Sequence, residues 1–207
     1  MIKLHHLNKS RSKRILWLLE ELGVPYEVVV YQRDPQTRVA PPQLAAIHPL
    51  GKSPVLDDGG RVIAESGAIT EYLTATYGAD TLQPVLGSDA YVQYLQWLHF
   101  AEGSAVLPML LGYFLTLDGC KTRFLGDYAT VELDRILRYF DASVATGPYL
   151  VGDQFTAADI LNSFVPEQLE TSGKLGAYPH LREYLARIQA RPAAARANAL
   201  DAKYGAR

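Results

Sequence analysis

Residues 51–69, GKSPVLDDGGRVIAESGAI, decide the fold of the first part of the chain. Val55 and Leu56, then Asp57-Asp58-Gly59-Gly60, then Val62-Ile63-Ala64 form the apolar–turn–apolar pattern of a β-hairpin. Pro54 stands at the mouth of the first strand, one of the few strand positions where the missing N–H does no harm. Glu65-Ser66 follows the second strand, at the head of a helix whose apolar face is Ile69, Leu73 and Tyr77 and which Gly78 closes. A cis bond before Pro54 would turn the backbone so that residue 53 presents its N–H and C=O to an extended, peptide-like ligand. Ser66 lies beside the free N–H groups and the positive dipole end of its helix, which favour a carboxylate. Glu65 only accepts hydrogen bonds and suits an ammonium. Together they can hold the zwitterionic end of an amino acid, and Lys52 offers a cation for a second carboxylate. Taken singly, each has a plainer reading: an edge strand in trans, a helix cap, a solvated lysine. Order and spacing give the combination its weight.

Working outward, IKLHHL (2–7) and YEVVVY (26–31) read as strands. Between them Ile15, Leu18, Leu19 and Leu22 recur at helical spacing, with Gly23 as the stop and Pro25 beyond it. Two strands joined by a helix predict a parallel βαβ unit with a right-handed crossover. Residues 33–50 read as a loop with a short helix near Gln43–Ile47. After Gly78 the texture changes. Residues 79–88 form a linker, and residues 89–207 are helical in period: a long helix over 89–115 with a bend expected at Pro108, a second over 123–145, a helix start at FTAADI (155–160) and a helix over 179–193 ending near Pro192. At FTAADI, Thr156 is the expected N-cap, Asp159 sits at N3 and Phe155 can staple to Ile160. The expectation is an α/β domain over 1–78 and an all-helical domain over 89–207.

Composition narrows the function classes. The 207 residues are 48% apolar, enough to bury a core, and the formal charge of −2 gives no basic field for nucleic acid. No run reads as a membrane span, and MIKLHHLNKS lacks the apolar core of a signal peptide. One cysteine, Cys120, makes neither an intramolecular disulfide nor a cysteine-rich metal site. His5 and His6 alternate across a strand and cannot chelate together. His99 and Glu102 share a helix face but lack further ligands, so no metal is expected. The expectation is a cytoplasmic protein that binds neither membrane nor nucleic acid.

HPLGKSPVL followed by AESGAITEYL closely resembles the glutathione-binding segment of the cytosolic glutathione S-transferases. LHHLNKSRSKRILWLLEELGVPYE resembles the first βα unit of bacterial and fungal theta-like and beta-like members, and GDQFTAADI resembles the capping box of a core helix in the family's second domain. The resemblance implies a thioredoxin-like first domain that holds glutathione, an all-helical second domain, and a homodimer. It implies that Lys52 meets the glycyl carboxylate, that Ser53 before Pro54 pairs with the cysteinyl backbone, and that Glu65 and Ser66 bind the γ-glutamyl end.

Attack by glutathione requires its thiolate, a minor species at neutral pH for an unperturbed thiol. In the resembling family a Tyr, Ser or Cys just after the first strand supplies the donor. Here the slot is NKSRSKR, and counting back from Arg14 as in theta-like members places Ser10 in the catalytic position. Ser12, Asn8 and Arg11 are alternatives, and Ser10 or Ser12 can also be read as a plain helix cap. SRSK (10–13) stands where glutaredoxin-like proteins place C-x-x-C, which argues against thiol redox chemistry. Leu7, Leu110, Tyr113 and Phe114 are candidates for a hydrophobic co-substrate pocket, although aromatics at helical spacing more often line a core. The expected activity is transfer of glutathione to electrophilic, mostly apolar small molecules. A non-catalytic binding module on the same scaffold, or a glutathione-dependent peroxidase, isomerase or dehalogenase, is the alternative.

Overall fold

The structure is a computed structural model that describes residues 1–78, 81–119 and 121–205. Cys120 and the first part of the predicted linker lie outside the described residues. Contacts divide the chain into two compact units, Met1–Gln83 with Gln189–Arg207, and Pro84–Ile188.

The first unit runs β1 (Ile2–Leu7), α1 (Ser12–Leu22), β2 (Tyr26–Tyr31), α2 (Gln43–Ile47), β3 (Val55–Asp58), β4 (Arg61–Ala64) and α3 (Ser66–Tyr77). The sheet order is β2-β1-β3-β4, with β1 and β2 parallel and the other pairs antiparallel. This is the thioredoxin-like arrangement expected from the βαβ unit and the hairpin. The hairpin turn is tighter than the pattern implied. Asp57 and Asp58 extend β3, and only Gly59 and Gly60 turn, both with positive φ (61° and 95°) that the absence of a side chain permits. Leu4 and Leu56, Ile15, Leu18 and Leu19, and Ile69 and Leu73 are all fully buried, so strand alternation and helix stripe meet in one core. Gly23 caps α1 in the left-handed region and returns its N–H to the Leu19 carbonyl. Gly78 ends α3 differently: its φ is −145°, and a Cβ there would meet the Leu22 side chain, so its smallness serves close approach.

The second unit is all helical: α4 (Asp89–Phe100), a π turn (Ala101–Ala105), α5 (Val106–Asp118), α6 (Leu125–Ser143), α7 (Ala157–Asn162), α8 (Phe164–Thr171), a 3₁₀ turn (Leu175–Ala177) and α9 (Pro179–Gln189). Ser88 caps α4 by accepting the Tyr91 N–H at 3.1 Å. The irregularity expected at Pro108 is the π turn just before it. The proline ring displaces the carbonyl four residues back, at Ser104, and the helix absorbs the change there. Counted as one helix, Asp89–Asp118 is long and apolar enough to cross a membrane, which corrects the expectation that no run reaches that length.

Helix α9 ends at Gln189, near Pro192 as expected, but Pro192 then begins a further helix. It occupies the first position of α10 (Pro192–Gly205), where a missing N–H is harmless. The sequence reading placed residues 89–207 in the helical domain. In the structure α10 lies against α1 in the first unit. Ala193, Ala194 and Ala197 are buried, Arg191 clamps the Glu21 carboxylate at 2.7 and 2.9 Å, and Arg196 reaches Glu20 at 2.6 Å. This cover explains why α1 buries Leu16 and Trp17 as well as Ile15, Leu18 and Leu19 of its predicted stripe.

Helix α7 is buried along its whole length, and fully buried Asp159 organises it. Its carboxylate accepts from Thr156 N (2.8 Å), Leu150 N (3.0 Å) and Tyr184 Oη (3.0 Å). Burial raises its pKa to about 6, opposed by these donors. Asp159→Ala would leave two buried amides and a buried phenol without their acceptor, and should lower stability by about 3 kcal/mol. Because the folded pKa lies above the unfolded value of 3.8, the folded state binds the proton more tightly. The carboxyl's contribution is therefore full at acid pH and declines as pH rises toward 6. Urea midpoints of wild type and variant across that range should draw closer with rising pH; a gap that widens contradicts the assignment.

Candidate functional site

The β3 ladder pairs with β1 only as far as His5↔Val55, leaving Leu7 beyond it. Three serine hydroxyls gather at this end of the strand. Ser53 Oγ donates to the His5 carbonyl at 2.9 Å and accepts from the Leu7 N–H at 3.2 Å. Ser12 Oγ accepts the same N–H at 3.3 Å and lies 2.9 Å from His6 Nδ1. Ser10 Oγ lies 2.7 Å from Ser12 Oγ, accepts the Ser12 N–H at 3.2 Å and donates to Ser53 Oγ at 3.4 Å. Ser12 is fully buried, while Ser10 is only partly covered. Asn8 is engaged elsewhere: its side-chain oxygen accepts from Arg33 N at 2.9 Å, and its carbonyl from Arg33 Nε at 3.2 Å. Arg11 occupies the N-cap position of α1 in helical conformation without a side-chain cap bond.

The Ser53–Pro54 bond is cis. Lys52 beside it is exposed, and Pro54 is buried. Across the hairpin Glu65 is exposed, with φ 70° and ψ 121°, a region that L side chains rarely adopt. Ser66 is the first residue of α3 and is buried. Its Oγ accepts from Arg14 Nη2 at 3.4 Å, so it does not serve as the expected N-cap, a position Glu65 takes. Arg14 is itself 3% exposed, and its guanidinium adds to the positive field at the start of α3. The sequence reading used Arg14 only as a counting mark. Its placement inside an apolar helix stripe was the signal that it serves something buried.

The four co-substrate candidates are not alike. Leu7 is buried in the core of the first unit, and only its backbone reaches the hydroxyl cluster. Leu110 is half-buried on α5, and Tyr113 and Phe114 are 46% and 57% exposed, with ring centroids 5.6 Å apart. A cavity of about 1260 Å³ within the second unit is lined by Pro108, Met109, Tyr113, Leu133, Leu137 and Tyr178 among others. None of the predicted glutathione anchors lines it. Among the described residues no three His, Cys, Asp or Glu side chains gather as a metal ion would require. His5 and His6 do face apart: His5 Nδ1 meets Tyr31 Oη at 2.9 Å, and His6 meets Ser12.

A thioredoxin-like domain with a cis-proline hairpin and a charged entry to α3, followed by an all-helical domain, defines a class of glutathione-handling proteins. The family model for the glutathione S-transferase N-terminal domain matches residues 1–75, and that for the C-terminal domain matches residues 121–192. Glutathione S-transferase 1 of Saccharomyces cerevisiae is 33% identical over 214 residues, covering 91% of this chain and 90% of its own. Glutathione S-transferase 3 of Schizosaccharomyces pombe is 38% identical over 176 residues, 77% of this chain and 70% of its own. The crystal structure of a glutathione S-transferase from Actinobacillus pleuropneumoniae superposes with a TM-score of 0.88 at 34% identity, covering 98% and 93% of the two chains. The chain belongs to the glutathione S-transferase family, and its activity is that of a glutathione transferase.

The backbone at Glu65 separates strain from ligand binding. Replacing Glu65 by Ala or by Gly removes the carboxylate equally, but only Gly also relieves the clash of a Cβ at positive φ, worth roughly 1 kcal/mol. Glu65→Gly should therefore unfold at a higher urea concentration than Glu65→Ala, although glycine is the more flexible residue unfolded. The reverse order would show that the backbone there is not strained.

Proposed function

We propose that glutathione binds in the first unit and that Ser10 stabilises its thiolate for attack on an electrophilic, mostly apolar small molecule. The observation that carries this is the part-covered Ser10 hydroxyl 3.4 Å from Ser53 Oγ, the residue before the cis-proline whose main chain is suited to the cysteinyl part of the ligand. Ser10 also stands at the N-terminal end of α1, where helix dipole and hydroxyl act on an anion in the same sense. Ser12 is too deeply buried to touch a ligand, and the Asn8 oxygen is already committed to Arg33. Lys52 is the partner for the glycyl carboxylate, Glu65 for the α-ammonium, and Ser66 with the N-terminal end of α3 for the γ-glutamyl carboxylate. The exposed apolar side chains of α5, Tyr113 and Phe114 among them, are the surface offered to the electrophile. No metal takes part in this scheme, and the setting is cytoplasmic.

One hydrogen bond to a charged sulfur is worth about 1.5–3 kcal/mol, or roughly one to two units of thiol pKa. Ser10→Ala should raise the bound thiol's titration midpoint by that amount and cut turnover, leaving glutathione affinity intact. Glu65→Ala should do the reverse, weakening affinity roughly ten- to a hundredfold with the thiol pKa unmoved. Ultraviolet titration of bound thiolate and calorimetric titration of glutathione read the two effects. A Ser10→Ala protein with the wild-type midpoint removes Ser10 from the role.

We further propose a two-fold symmetric homodimer. Val62 on edge strand β4 and Tyr77 of α3 are 44% and 40% exposed in the first unit, and Val92 of α4 is 54% exposed in the second. Light scattering at micromolar concentration should give twice the chain mass of 22.9 kDa. A value of one chain mass refutes the dimer.

A further inference from the structure

The hydroxyl cluster continues inward from Ser10 and ends on a buried histidine. Ser10 Oγ lies 2.7 Å from Ser12 Oγ, Ser12 Oγ lies 2.9 Å from His6 Nδ1, and His6 Nε2 faces Asp201 Oδ1 of α10 at 3.5 Å. His6 and Ser12 are fully buried, and the Asp201 side chain is 30% exposed. Holding glutathione requires none of these three groups.

We propose that His6, paired with Asp201, accepts the glutathione thiol proton through a concerted shift along Ser10 and Ser12. The inference rests on the reading of Ser10 as the hydroxyl that meets the sulfur. Its warrant is a count of hydrogens. Each serine has one hydroxyl hydrogen, and Ser53 commits its own to the His5 carbonyl. Ser12 also reaches the Leu7 carbonyl at 3.3 Å and Ser10 reaches Ser53 Oγ at 3.4 Å, and the relay takes the shorter contacts: with the His6 proton on Nε2, which faces Asp201 without a hydrogen bond, Nδ1 takes the Ser12 hydrogen and Ser12 Oγ takes that of Ser10. Ser10 Oγ already accepts the Ser12 N–H, and its remaining lone pair is then free for a bound thiol.

In the shift the S–H bond breaks and a new O–H bond forms on Ser10. The former Ser10 proton moves to Ser12, and the former Ser12 proton moves to His6 Nδ1. The products are a thiolate, hydrogen-bonded by the new Ser10 O–H, and an imidazolium beside Asp201. Protons and charge balance, and concerted movement leaves no serine alkoxide. One event both ionises the thiol and turns the hydroxyl chain to stabilise the anion.

The surroundings act on the ring in both senses. Burial lowers the His6 pKa below its ordinary 6.5, which favours a neutral resting ring and opposes its protonation, while the Asp201 carboxylate favours the imidazolium. The titratable groups facing it are Asp201 and Tyr204 from α10, the latter with its ring centroid 5.6 Å away. Strand β2 contributes Val30 in register, and α1 contributes Ser12. Among the described residues Asp201 is the charged group acting on the ring. The new thiolate would add a second negative charge near the chain and hold the proton on His6 more firmly.

The test counts protons. Bound thiolate is followed by ultraviolet absorbance in weak buffer with a pH indicator, on wild type, His6→Gln, Asp201→Asn and Ser10→Ala. Glutamine can still hydrogen-bond to Ser12 but cannot take up a proton. Wild type near neutrality should release well under one proton per thiolate formed, because the proton stays on His6. His6→Gln should release a full proton and raise the thiolate midpoint by about one unit, with glutathione affinity unchanged. Asp201→Asn, on a partly exposed helix, should shift the midpoint the same way by less, and decides the matter if His6→Gln fails to fold. The ¹⁵N spectrum of the His6 ring in wild type should show protonation on glutathione binding. Release of one full proton by wild type overturns the relay. So does an unmoved midpoint in the His6 and Asp201 variants when Ser10→Ala raises it, and Ser10 then stands alone. An unmoved midpoint in Ser10→Ala instead overturns the underlying assignment of Ser10.

Discussion

Antiparallel pairing with β3 stops at His5, two residues before β1 ends, and on that edge the Leu7 amide has no strand partner. A buried amide without an acceptor costs roughly 1–3 kcal/mol, so something must replace the missing strand. Ser53 does so with one hydroxyl, closing on the His5 carbonyl and the Leu7 N–H. On the opposite edge β2 continues alongside to Leu7↔Tyr31, and Asn8 N reaches the Tyr31 carbonyl at 3.3 Å. The end of β1 is therefore held from both sides, by a strand on one and by serines on the other. Ser53 and Ser12 take part in this repair of an unfinished ladder, and Ser10 joins them through their hydroxyls.

The charged half of the site is maintained at a cost in local conformation. Glu65 keeps a positive φ so that its side chain stays exposed while the next residue enters α3 buried. Arg14 gives up solvent to stand behind that helix start. Such features persist only where the surrounding core is rigid, and here Ile69 and Leu73 of the same helix are fully buried against the sheet unit. The second unit organises itself by a separate device, the Asp159 carboxylate with its buried donors. The two halves of the chain thus rest on two independent polar centres.

Local pattern was legible in the sequence wherever it carried the physics. Strands 2–7 and 26–31, the short helix at 43–47 and the helix starts at Asp89 and Ser66 coincide with the structure because period, glycine and proline agree there. Lys52, Ser53, Glu65 and Ser66 were proposed as anchors from order and spacing around Pro54, where the structure has a cis bond. What was not legible depended on partners distant in sequence. Ser66 looks like a cap until Arg14, 52 residues earlier, is seen to occupy its hydroxyl. Leu7 looks like pocket lining until the sheet buries it. Pro192 looks like a stop because a proline near a helix end reads equally as the last residue of one helix or the first of the next. His6 looked idle because strand alternation shows only which way a side chain points, not what returns to meet it.

What returns to meet it is α10, whose own register explains why it can. Ala194, Ala197, Asp201 and Tyr204 fall at intervals of three, four and three, so they share one face of the helix. The first two are small and buried, which lets the helix axis approach closely. The third then brings its carboxylate to His6, and the fourth lays its ring beside the imidazole while its carbonyl accepts from Gln32 at 2.7 Å. Arg191 and Arg196 fasten the preceding turns to Glu21 and Glu20 at the far end of α1, whose N-terminus carries Ser12. Helix α1 is thus held by α10 along its length, while Ser12 at its start contacts the histidine that α10 also contacts. A segment that reads as an alanine-rich tail is, by this geometry, the back wall of the hydroxyl cluster. Residues 189–207 consequently belong physically to the unit that carries the hydroxyl cluster, although a long helical stretch separates them from it in sequence.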